Sequence, residues 1–117
     1  METEEQKLLV KKLNELKTNI LYSRDREAIS LYIQEIIKIS RPVEPSINER
    51  LGNGTYKFES KQRTLALLEG DLNCVLNENY PDWDTMHFQV ASTIVMLMLT
   101  FIDGGISRIE EIINQVV

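Results

Sequence analysis

Apolar positions recur along this chain at helical spacing almost from end to end. Leu9, Leu13, Leu16 and Ile20 step by four and three, the seam of an amphipathic helix, and Thr3 with Gln6 three residues on is a capping-box start. Lys7, Lys11, Lys12, Glu15 and Lys17 lie off that stripe and read as its solvated face. Ser23 is the expected cap of a second helix carrying a wide apolar arc of Ala28, Ile29, Tyr32, Ile33, Ile36, Ile37 and Ser40. No Pro or Gly separates the two; ordinary helix lengths favour a bend at 22–24 over one kinked helix from 3 to 40. Arg41-Pro42 ends the second helix, because the proline ring disfavours helical backbone before it and supplies no donor.

After Pro45 the pattern changes. Ile47 to Phe58 contains Asn53-Gly54, a strong tight-turn signal between short runs that read as strands, so a small β-hairpin is expected near 47–58. A third helix over about 60–79 places Leu65, Leu68, Leu72 and Leu76 on one face and stops at Tyr80-Pro81, with Gly70 read as a close helix crossing. A fourth starts at Asp82 or Asp84 and runs to Gly104-Gly105; a fifth carries Ile106, Ile109, Ile112, Ile113 and Val116.

Within the fourth helix, Phe88 to Ile102 holds no charge and shows apolar residues on every side of a helical projection, the signature of a helix surrounded by others. The run is shorter than the roughly 20 apolar residues of a membrane span and contains Gln89, Ser92, Thr93 and Thr100. The pattern therefore predicts an all-α chain, a single helical domain over 1–117, built as a bundle of about five helices around a buried central helix at 83–103. The wide apolar arcs also suggest a homodimer.

Composition narrows the class. The 117 residues are 43% apolar and 26% charged with a net charge of −5, a soluble globular profile, and the polar acidic start carries no secretory pattern, so the cytoplasm is the expected location. One cysteine, Cys74, forms no internal disulfide and sits among Leu72, Val75 and Leu76 as a small core residue. His87 is the one histidine. Its spacing from Asp84 resembles half of a carboxylate-bridged di-iron motif, but the second half is missing, and no metal or other cofactor is expected. With no nucleophile–base set, the chain is not expected to be an enzyme.

Charge distribution is the sharper signal. Residues 1–63 hold twelve Lys or Arg against ten Asp or Glu, whereas 64–106 hold six acids and no base. Asp71, Glu78, Asp82 and Asp84 cluster with Tyr80 and Trp83, and uniform charge around aromatic anchors suits the recognition of a basic protein. The competing account is local: acids near a helix start cap it and complement its dipole. The net negative charge argues against nucleic acid. The expected function is non-enzymatic binding of a basic macromolecular partner, of the kind seen among inhibitors and immunity proteins. The alternative is a phosphorylated small molecule or nucleotide held by the 41–63 segment, with Arg24, Arg26, Arg41, Arg50, Lys57 and Arg63 as its basic residues.

Overall fold

The computed structural model describes residues 2–46 and 54–115. Within them run five helices: α1 (Glu4–Leu21), α2 (Arg26–Ser40), α3 (Gly54–Leu76), α4 (Trp83–Thr100) and α5 (Ile106–Asn114). The capping box forms as expected, with the Gln6 amide donating to Thr3 Oγ1 at 3.1 Å and the Thr3 amide to Gln6 Oε1 at 2.8 Å. The bend between the first two helices is real, but the cap of α2 is Asp25, whose carboxylate accepts from the Glu27 amide at 3.0 Å. Ser23 instead accepts from the Asp25 amide, which braces the turn.

Four helices form an antiparallel ring, in which α1–α2, α2–α3, α3–α4 and α1–α4 are the packed pairs, and α5 lies on α1 and α4. Hydrogen bonds between helix ends fix the alternation of direction. Gln6 Nε2 at the start of α1 donates to the Glu44 carbonyl past the end of α2, and Arg26 at the start of α2 donates to the Leu76 carbonyl at the end of α3. The core lies inside the ring: Leu9, Val10, Leu13, Leu16 and Ile20 face Ile29, Ile33 and Ile36, with Leu65 and Leu68 against Val90, Ile94, Leu97 and Met98. Each such buried side chain contributes roughly 1.5–3 kcal/mol.

Three expectations are corrected. The hairpin near 47–58 is not present, because residues 54–58 are the first turns of α3; residues 47–53, with Arg50 and Asn53, lie outside the described residues. A helix there puts Lys57 and Lys61 one turn apart on one face, and both find partners by it. The fourth helix is not central: α4 is one corner of a ring and keeps an outward strip in which Phe88 is 75% exposed and Met96 46%. Freedom from charge allowed burial on all sides without requiring it. Finally, Gly70 marks no crossing, since a Cβ built on it would meet no heavy atom within 4 Å.

The ring is closed at one end by two buried lysines on α3. Lys57, 8% exposed, donates through Nζ to the Leu99 and Ile102 carbonyls at 2.8 and 2.6 Å. Lys61, 4% exposed, donates to the Arg41 and Val43 carbonyls at 2.8 and 2.5 Å, with Phe101 facing its ammonium. These carbonyls belong to the C-terminal ends of α4 and α2, where helix geometry leaves acceptors without donors. Burial pushes both ammonium groups below the ordinary lysine value, while Asp103 and Glu2 oppose the shift at Lys57 and Glu44 opposes it at Lys61.

Lys61→Met keeps the apolar stem and removes the donor, so it is expected to cost about 1–3 kcal/mol in denaturant unfolding at neutral pH. A folded-state value below the unfolded 10.5 means that the unfolded chain binds more protons between the two. The desolvation penalty is then full below the lowered value and lifts as pH climbs to 10.5. The wild type's advantage over Lys61→Met should widen over that alkaline window and not at acid pH.

Candidate functional site

The α3–α4 turn owes its shape to the way α3 ends. The Asn79 amide bonds back to the Cys74 carbonyl and the Glu78 amide to that of Val75, a helix-ending loop whose left-handed position is usually glycine. Here it is Glu78, at φ 54°. For a residue with a side chain that backbone costs about 1–2 kcal/mol. Glu78 spends its carboxylate on Arg26 at 2.9 Å, an exposed contact at the start of α2.

Beyond it, Asp82 caps α4, accepting from the Thr85 amide at 2.7 Å and the Thr85 hydroxyl at 3.1 Å. Those bonds hold its carboxyl below the usual carboxylate range, amide first and hydroxyl second. Trp83 is half-buried between Tyr80 and His87, with ring centroids 4.7 and 5.8 Å away. His87 is buried, and its Nε2 has no hydrogen-bond partner among the described residues. Asp84 points outward and meets Arg24 at 3.3 Å.

Glu78, Tyr80, Asp82, Trp83 and Asp84 therefore share one end of the bundle, where α3 turns into α4 and α1 into α2. Asp71, grouped with them in the sequence, stands apart: it sits mid-α3, 4% exposed, with Oδ1 accepting from Gln89 Nε2 at 2.5 Å. Its Oδ2 has no hydrogen-bond partner among the described residues.

The basic set is dispersed. Arg24 and Arg26 belong to the acidic corner, pairing with Asp84 and Glu78. Arg41 lies at the far end of α2, roughly 22 Å away by helical rise, and pairs with Glu69. Lys57 is committed to carbonyls, Arg63 is exposed on α3, and Arg50 lies outside the described residues. An open groove of about 510 Å³ runs between α2 and α3, floored by Ile37 and Leu72 and crossed at its rim by the Arg41–Glu69 pair. Among the described residues no three His, Cys, Asp or Glu side chains are grouped to hold a metal ion, and no helix is long and apolar enough to cross a membrane.

Sequence reasoning missed two exposed aromatics near this corner. Phe88 stands one turn beyond Asp84 on α4, and Tyr22 two residues before Arg24 at the end of α1. The signal for Phe88 was present: Gln89 and Ser92 mark the same outward strip, and a helix with such a strip has a wet side.

The fold defines the chain as an antiparallel four-helix bundle with a fifth helix laid across one side. No family model, curated protein or solved structure matches it.

Burying the Asp71 carboxylate without a cation or a full set of donors is costly. Asp71→Asn keeps the acceptor for Gln89 and removes the charge, so it is expected to stabilise the fold by about 1 kcal/mol, read as a higher midpoint in denaturant unfolding. A lower midpoint would show that the carboxylate itself is required there.

Proposed function

We propose that this chain is a non-enzymatic binding protein that recognises a basic macromolecular partner through the corner formed by Glu78, Tyr80, Asp82, Trp83 and Asp84, as inhibitors and immunity proteins do. The observation that carries the reading is the display of three exposed carboxylates around the half-buried, tilted Tyr80–Trp83 ring pair, with Phe88 exposed one turn further on. Carboxylates of one sign steer a basic protein into contact, and aromatic side chains anchor it. Placing Glu78 at a backbone position that favours glycine adds support, since strain of this kind gathers where a side chain has a task.

Arg24 and Arg26 act as placeholders in this scheme. They hold Asp84 and Glu78 in exposed pairs, contacts of a type worth about 0–1 kcal/mol, which a partner's arginines displace at small cost. Recognition is then an exchange of one guanidinium for another, with added burial of Tyr80, Trp83 and Phe88. Asp71 has no part in it, being buried mid-helix.

The test compares capture of one defined partner, first isolated from the native host with the tagged wild-type chain, by two double variants. Glu78→Ala with Asp84→Ala should weaken binding at least tenfold, and binding should fall as ionic strength rises. Arg24→Ala with Arg26→Ala, once its melting is shown to be intact because Arg26 also donates to the Leu76 carbonyl, should bind as well as wild type or better, since it frees the two carboxylates. Phosphorylated-ligand binding predicts the reverse for the arginines, together with a thermal shift on nucleotide addition. Unchanged capture by the carboxylate variant, with its circular dichroism and melting intact, would move the interface elsewhere.

A further inference from the structure

The groove between α2 and α3 does not end at the Arg41–Glu69 pair. Over its floor of Ile37 and Leu72 it opens to about 510 Å³, and past Gln34 it continues as a second hollow of about 270 Å³ lined by Glu27, Ser30, Leu31 and Leu76. Its α2 wall is one strip, Glu27, Leu31, Gln34, Lys38 and Arg41, all exposed and spaced by helical steps of four and three. The strip is roughly 21 Å long by helical rise.

On either side of Gln34 the strip carries opposite features. Leu31, three residues before it, projects with 64% of its surface exposed; Ile37, three residues after it, is 8% exposed at the floor of the larger hollow. Glu27 stands seven residues before Gln34 and Arg41 seven after, with Lys38 beside Arg41. One half therefore offers a knob and an acid, the other a hollow and two bases.

The remaining charges along the groove do not blur that division. Arg26 with Glu78 at one end and Arg41 with Glu69 at the other are each neutral as pairs, which leaves Glu27 and Lys38 unbalanced. Neither of these two has an ion-pair partner among the described residues. Exposed Glu35 lies off the strip, on its side away from α3. An acid in the first turn and a base in the last suit the dipole of α2, but the dipole does not require both to share the strip that carries Leu31.

We infer that this strip is a two-fold contact with a second copy of the chain, in which the two α2 helices run antiparallel and cross at Gln34. A two-fold axis lays each half of the strip on the other half of its copy. Leu31 of each chain then comes to the hollow over Ile37 and Leu72, and Glu27 of each comes to Lys38 and Arg41. Charge decides the occupant. A basic partner would meet Lys38 and Arg41, an acidic one would meet Glu27, and an uncharged segment would leave both ends unpaired. The same strip reversed matches both ends, even though the chain as a whole carries a net charge of −5. The inference goes beyond the partner-binding proposal and is tested on the isolated chain, so either can fail alone.

The experiment is sedimentation velocity on the full chain from about 1 to 100 µM. The wild type is expected to shift to twice the chain mass within that range. Glu27→Lys and Lys38→Glu, made separately, each set like charges together twice across the axis and should weaken the association at least tenfold. Mixed in equal amounts, the two variants should dimerise again, because each offers the charge that the other lacks. Leu31→Glu should leave a monomer, whereas Leu8→Glu, an equally exposed leucine on α1, should leave the dimer intact. All four positions are exposed, and circular dichroism with melting confirms that each variant is folded. A wild type that is monomeric throughout overturns the inference. So does a dimer that survives Leu31→Glu or both charge variants, one that dissociates with Leu8→Glu, or a mixture of the charge variants that stays monomeric.

Discussion

The end of the bundle where α2 and α4 finish depends on two ammonium groups. A helix terminus leaves up to four carbonyls without donors, and here the two termini are brought together and roofed by Phe101 and Ile102, away from water. Lys57 and Lys61, one turn apart near the start of α3, donate to the last carbonyls of α4 and to those following α2. Ser46 adds its amide to the Thr100 carbonyl and its hydroxyl to that of Ile102. α3 therefore ties both its ring neighbours at their C-terminal ends, and the directions of α2, α3 and α4 follow from that tie. The cost is the desolvation of two cations, visible in the downward push on both lysines.

Charge is thus used in opposite ways at the two ends. At the lysine end it is turned inward: Glu2 joins in by accepting from the Asp103 amide and from Arg108, which also meets Glu111 and is held even more firmly protonated by these acids. These contacts fasten α5 to the start of α1. At the opposite end the carboxylates of Glu78, Asp82 and Asp84 lie outside, held only by a cap and by exposed arginine pairs. Charges consumed by buried backbone cannot also meet a ligand, which removes Lys57 from any phosphate site. Charges held in weak exposed pairs remain exchangeable, which is why the acidic corner carries the functional reading.

Between the ends, the outer sides of the ring divide the surface further. α5 occupies one side with Ile109 and Ile112, arginine–carboxylate pairs bridge a second, and the α3–α4 side presents Leu67 and Met96 with the exposed Arg63 one turn from Leu67.

Much of the fold was legible along the chain. The steps of four and three through Leu9, Leu13, Leu16 and Ile20, the Thr3–Gln6 box, the stop at Arg41-Pro42 and a start at Asp82 or Asp84 depend on residues within a turn or two of one another, and Asp82 proves to be the cap. The grouping of Glu78, Tyr80, Asp82, Trp83 and Asp84 was legible for the same reason, being one continuous turn. Long-range packing decided the rest. Thr-Tyr-Lys-Phe after Asn53-Gly54 reads locally as a strand, yet it becomes helix where two carbonyl-rich termini wait for Lys57 and Lys61. Asp71 left the acidic group because Gln89 of the next helix faces it, and Phe88 stayed in water because no helix covers that strip of α4. Local spacing and caps determine that a segment is a helix and where it starts; which of its faces is buried, and which of its charges are spent, depends on neighbours that only the assembled ring supplies.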